Sequence, residues 1–166
     1  SDKAPSADCM IDLAGDMLLP GFIDVQVNGG GGVLFNDTPT PEGLAAIARA
    51  HHRFGTTGML PTLISDSLDV VAAGIAAVDE AIARSTPGVI GIHIEGPYLN
   101  PARKGIHDDS LFVRPDLGDA QRLCTLTGGS TMVTLAPEMV PEGFIAALAR
   151  QGVRVSAGHT EATYAQ

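Results

Sequence analysis

Along this chain, short apolar runs alternate with segments that have helical spacing, and most of the runs end on a polar or charged residue. No other feature limits the fold as strongly, because strands that are linked through helices lie parallel in one sheet. The clearest case is Gly91-Ile92-His93-Ile94-Glu95, which ends in a carboxylate and turns at once on Gly96-Pro97. Val153-Arg154-Val155-Ser156-Ala157-Gly158-His159 repeats the design with a histidine at its end. Barrels of alternating strands and helices present their chemical groups in this way, at the C-terminal ends of the strands.

The order of elements follows from local signals. Phe22–Val27 reads as a first strand, stopped by the glycines at 29–32. Thr40-Pro41-Glu42 opens a helix with a capping hydroxyl, a proline at the first helical position and an early acid; Gly55 ends it. Gly58–Thr62 is a second strand, and Ser67 caps a helix in which Val70, Val71, Ile75, Val78 and Ile82 recur at helical spacing. Val89–Glu95 is the third strand, followed by a polar loop to about Pro115 and a helix over Gly118–Leu126. Thr131–Ala136 is the fourth strand, Pro141–Arg150 a helix, Arg154–His159 the fifth strand, and Glu161 opens a further helix.

Five such units fit an open doubly wound sheet or the first part of a (β/α)8 TIM-type barrel. The glycines at 29–32 lack both the GxGxxG pattern and a phosphate-loop lysine, which counts against the open sheet. Asn28, Thr62, Glu95, Glu138 and His159, at or near strand ends, favour the barrel. A complete barrel needs roughly 250 residues, so these 166 are expected to supply about five of its eight units and to belong to a larger protein. The expected division is a tail of a small β domain over residues 1–19 and the N-terminal part of the barrel over 20–166.

Composition narrows the partners. The net charge is −9 and no basic stripe is present, so neither nucleic acid nor an anionic membrane is an expected partner. Two widely spaced cysteines point to a reducing, cytoplasmic setting, and no apolar run reaches the length of a membrane span.

Side chains alternate along a strand, which puts Glu95 and His93 on the barrel interior and Ile92 and Ile94 against the helices. No Lys or Arg lies in the neighbouring strand interiors to pair with Glu95. With His159 in the same layer, the carboxylate and imidazole suit one divalent cation, Zn2+ or Fe2+. His93 is expected to orient a ligand through its ring nitrogens. Asp24, Gln26 and Asn28 share a face of the first strand, where a second metal would require imidazoles. The amides of Gln26 and Asn28 are poor ligands, so a single metal is expected. His51 and His52 lie near a helix C-terminus and receive no role.

Five ordered segments together resemble the N-acetylglucosamine-6-phosphate deacetylases of the amidohydrolase superfamily. They are Pro20-Gly21-Phe22-Ile23-Asp24-Val25-Gln26-Val27-Asn28-Gly29, His93-Ile94-Glu95-Gly96-Pro97, Lys104-Gly105-Ile106-His107, Leu135-Ala136-Pro137-Glu138 and Ser156-Ala157-Gly158-His159. The resemblance implies a metal-dependent, cytoplasmic, homodimeric hydrolase that removes the acetyl group from an amino-sugar phosphate. It assigns Glu95 and His159 to the metal, and it matches Gln26 and Asn28 to the single-metal branch. His107 would contact the acetyl oxygen as a catalytic group, and Ile106 would line the same pocket. From its position alone His107 would be a solvated loop histidine. Lys104 and Arg103 fit exposed loop charges better than phosphate contacts. The remaining metal histidine and a proton-transferring aspartate would lie outside this chain. Competing expectations are a different amidohydrolase, such as a cyclic-amide hydrolase, or a barrel fragment without activity.

Overall fold

The structure is a computed structural model and describes residues 7–166. The first six residues of the expected β-domain tail lie outside the described residues, and 7–19 form turns and extended chain without a strand. The elements that follow are β1 (Phe22–Val27), β2 (Gly29–Gly30), β3 (Val33–Leu34), α1 (Pro41–His52), β4 (Thr56–Leu63) and α2 (Leu68–Ala83). Then come β5 (Gly91–Glu95), α3 (Asp119–Arg122), β6 (Ser130–Leu135), α4 (Phe144–Arg150) and β7 (Arg154–Ala157).

The main sheet runs β1-β4-β5-β6-β7, every neighbouring pair parallel, so strand order follows chain order. It is a curled half-barrel, the first five strands of a (β/α)8 barrel. Parallel order arises because α1, α2, α3 and α4 return the chain to the same end of the sheet after each strand. The two helix starts inferred from sequence form as expected. Thr40 accepts the Gly43 N–H at α1, and Ser67 accepts the Val70 N–H at α2. The helix-facing side of the sheet makes the core. Ile92 and Ile94 are fully buried with Met59, Val133 and Leu135, against Leu44, Ile47, Val71, Ile75 and Val78. Each such side chain contributes about 1.5–3 kcal/mol through removal of apolar surface from water. Gly91 has no room for a side chain, since a Cβ there would lie 2.0 Å from the Ser130 carbonyl oxygen.

The structure corrects several expectations. The glycines at 29–32 do more than stop β1: Gly29–Gly30 pairs antiparallel with Val33–Leu34 in a small hairpin. The helix expected over Gly118–Leu126 is confined to Asp119–Arg122. Thr127 gives both its N–H and its hydroxyl to Asp79 and draws the chain toward α2. Val89 forms only an isolated bridge with Met59, and β5 begins at Gly91. The fifth strand ends at Ala157 rather than His159. Residues 161–166 form only a turn rather than a helix, with the Glu161 N–H bonded to Glu138.

Candidate metal centre

Strand ends assemble the site. Glu95 closes β5, and its side chain is only 10% exposed. Gln26, near the end of β1, donates its amide to Glu95 Oε2 at 2.9 Å. On the other side His159 Nε2 lies 3.0 Å from Glu95 Oε1, and His107 Nε2 lies 3.8 Å from the same oxygen. Glu95, His107 and His159 each offer a donor atom within 4.8 Å of the others. Among the described residues Glu95 has no Lys or Arg partner.

His159 reaches this point after the strand, not on it. Gly158 bonds back to the Leu135 carbonyl, and His159 takes a left-handed backbone, φ +51, that swings its ring across the rim. Its Nδ1 lies 2.8 Å from the Arg103 carbonyl oxygen, which can only accept, so Nδ1 carries the proton and a neutral ring leaves Nε2 bare. A bare imidazole nitrogen and a carboxylate oxygen at 3.0 Å repel unless a cation lies between them. The donor set therefore fits a divalent metal, with a neutral imidazole held by a backbone carbonyl as metal-ligating histidines usually are.

The loop after β5 carries His107 into the site. Tyr98 and Leu99 anchor that loop in the core, Tyr98 edge-on to Phe144 at 5.6 Å between centroids. Burial pushes the Tyr98 hydroxyl up to about 12. Asn100 caps a short 3-10 turn at Pro101–Arg103, and the chain then turns through Gly105 to His107. His107 is 3% exposed, not a solvated loop residue; its Nδ1 meets the Ser65 hydroxyl at 2.8 Å and the Ser65 N–H at 3.2 Å. Burial holds its imidazole below the ordinary histidine range, against the raising effect of Glu95. Ile106 beside it is 90% exposed. Arg103 and Lys104 are ion-paired with Glu161 and Asp109, in keeping with exposed loop charges.

His93 and Asn28 lie outside this cluster of contacts. His93 bonds Thr134 Oγ1 at 2.8 Å and the Val25 carbonyl at 3.0 Å, with Thr62 Oγ1 at 3.4 Å, and makes no bond to Glu95 or His159. Asn28 donates to the Thr62 carbonyl at 3.5 Å. Of the residues expected from sequence, Gln26 is the one that touches Glu95 together with the two histidines.

Two residues of the rim escaped the sequence reasoning. Ser65 lies just past β4 and was indistinguishable from an ordinary loop serine. Glu138, recognised only as a polar residue beyond the fourth strand, accepts from Asn100 Nδ2, Thr160 Oγ1 and the Glu161 N–H. It thereby ties together the loops after β5, β6 and β7. Burial raises its carboxyl, but the bonds from Thr160, Asn100 and Glu161 outweigh that and hold it at about 2.

A cavity of about 570 Å³ lies elsewhere, along α1 and the start of β4 at the opposite end of the strands from Glu95. Among the described residues no helix is long and apolar enough to cross a membrane.

The sequence model of the amidohydrolase family matches residues 17–163. An N-acetylgalactosamine-6-phosphate deacetylase of Shewanella sp. (strain ANA-3) is 43% identical over 161 residues, covering 90% of this chain and 38% of that protein. An N-acetylglucosamine-6-phosphate deacetylase of Haemophilus influenzae is 35% identical over 156 residues, 93% of this chain and 40% of that protein. The crystal structure of N-acetylglucosamine-6-phosphate deacetylase from Pasteurella multocida superposes with a TM-score of 0.87 at 34% identity, covering 93% of this chain and 41% of the other. The chain thus spans about 40% of the length of the relatives it matches.

Proposed function

The chain belongs to the amidohydrolase family, a metal-dependent family, and from that premise we propose that it is part of an enzyme that hydrolyses the N-acetyl group of N-acetylglucosamine 6-phosphate. The products are glucosamine 6-phosphate and acetate. The observation that carries this is the buried Glu95 carboxylate 3.0 Å from Nε2 of His159, with His107 alongside and no Lys or Arg among the described residues to balance it. Glu95 and His159 hold one divalent ion, Zn2+ or Fe2+, with residues outside this chain. When bound, the ion supplies Lewis-acid chemistry for a water and for the amide carbonyl.

The rest of the reading concerns the chain's own groups. Gln26 orients Glu95 through its amide. His107 donates a hydrogen bond to the acetyl oxygen and opposes the charge that develops there, and Ile106 borders the acetyl group. His93 and Asn28 support the first-strand and β5 backbone from below. Residues 1–19 are the end of a small β domain, and the whole protein is a cytoplasmic homodimer.

A second reading changes only the sugar. The 43% identity to the Shewanella relative favours N-acetylgalactosamine 6-phosphate. Acetate release by the full-length protein from each sugar phosphate, with metal content measured in parallel, tests both. Hydrolysis of either one, lost on chelation and restored by Zn2+ or Fe2+, is expected. A metal-loaded protein that releases acetate from neither would overturn the reading.

A further inference from the structure

His107 and His159 flank the same oxygen of Glu95, with ring centroids 4.7 Å apart, and both present Nε2 to it. Their Nδ1 atoms meet opposite main-chain groups. His159 Nδ1 faces the Arg103 carbonyl, an obligate acceptor, at 2.8 Å. His107 Nδ1 faces the Ser65 N–H, an obligate donor, at 3.2 Å. A nitrogen that accepts from a backbone N–H bears no proton, so the proton of His107 resides on Nε2. The Ser65 hydroxyl at 2.8 Å adds a second donor to the same atom.

We propose that Ser65 is a positioning residue that fixes His107 as the Nε2–H tautomer, which makes His107 a hydrogen-bond donor in the site and prevents it from ligating the metal. Proximity alone would make His107 a third ligand beside Glu95 and His159. The ring proton decides otherwise, since a neutral imidazole with Nδ1 engaged as acceptor has no lone pair left at Nε2.

The surroundings of Ser65 are built for this contact. Ser65 is 5% exposed, and a Cβ on Gly96 would lie 2.2 Å from its hydroxyl oxygen. Gly96 itself has φ +86, a backbone region that disfavours any side chain. The turn that ends β5 therefore leaves space for the hydroxyl that holds His107. The part His107 plays in hydrolysis rests on the proposed function, whereas the tautomer rests on the distances to Ser65.

The test is a long-range proton–nitrogen NMR spectrum of full-length protein labelled with 15N-histidine, recorded without and with bound Zn2+. The His107 signals are identified by their loss in His107→Gln. A protonated Nε2 and a bare Nδ1 are expected, unchanged in protonation when Zn2+ binds, while His159 Nε2 shifts. A proton on Nδ1, or a His107 Nε2 that shifts to a metal-bound position, would overturn the proposal. Ser65→Ala keeps the N–H and removes the hydroxyl. The N–H keeps Nδ1 bare in this variant, so the Nε2–H tautomer should persist. Loss of the second donor loosens the ring, and kcat should fall about 10-fold, a fraction of the ~10²–10³ for removing such a donor outright. KM and metal content should stay near native. A Ser65→Ala variant whose His107 carries its proton on Nδ1, or whose kcat is native, would count against the proposal. A full-length protein without deacetylase activity that still shows the Nε2–H ring would refute the functional reading and leave the tautomer assignment supported.

Discussion

Two layers of the half-barrel, two residues apart on the same face of β5, use similar groups to opposite ends. In the lower layer His93 has both nitrogens matched: Nδ1–H donates to the Val25 carbonyl, and Nε2 accepts from the Thr134 hydroxyl. All its partners are neutral, and burial pushes the imidazole below its usual range, against the pull of Glu95. In the upper layer, Glu95 has one oxygen satisfied by Gln26 and the other facing Nε2 of His159, which is bare in the neutral ring. A closed set of hydrogen bonds stabilises a fold, whereas two lone pairs facing each other ask for a cation. Burial and residue type are shared by the two layers; what separates them is whether the acceptors outnumber the donors.

Substitutions can break that contrast. Glu95→Gln should have the largest effect, removing the bound metal and lowering deacetylation in the full-length protein by at least about 100-fold, since even indirect partners of a ligand matter at the 10–100-fold level. Elemental analysis and acetate release measure it; full metal occupancy in the variant would remove Glu95 from the ligand set. Next is Glu138→Gln, which replaces an acceptor of three donors and should destabilise the fold by roughly 1.5–3 kcal/mol near neutral pH. The folded carboxyl sits at about 2 against an ordinary 4.5, so its stabilisation is present above pH 4.5 and is lost as pH falls toward 2. Urea unfolding across that range should show variant and native stabilities converging in acid; a constant gap would mean the carboxylate charge is not what matters.

Thr134→Val sharpens the other side of the comparison. It leaves His93 Nε2 without a donor and should cost about 1–2 kcal/mol in unfolding free energy while the metal content stays native. Loss of metal in this variant would show that the two layers are not independent. At the small end, Arg84 bridges Glu42 and Glu80 on the surface with all three side chains at least half exposed. Arg84→Ala should leave the unfolding midpoint unchanged within error, because such pairs are well solvated and screened.

Much of the fold was legible because it is written in local patterns. The alternation of Ile92 and Ile94 with His93 and Glu95 assigned both faces of β5 correctly, and Thr40 and Ser67 marked helix starts that the structure forms. Errors fell where a distant partner intervenes. Asp79 draws Thr127 away from a longer α3, and the Glu138 carboxylate ties Thr160 and the Glu161 N–H to the loop after β6. Neither partner is near in sequence, so no window of residues contains the cause.

By itself, then, the sequence determined a parallel α/β sheet and delivered Glu95 to the end of a buried strand, because periodicity and helix caps act over a few residues. His159 was identified for its position at a strand end, yet it reaches Glu95 through a left-handed turn beyond β7. Tertiary structure alone decided that His107 is buried, that Ser65 donates to it, and that Glu138 joins three loops. The roles of the two rim histidines depend on a proton whose place is set by an N–H 42 residues away for one and a carbonyl 56 residues away for the other. Only folding brings those groups within hydrogen-bond distance.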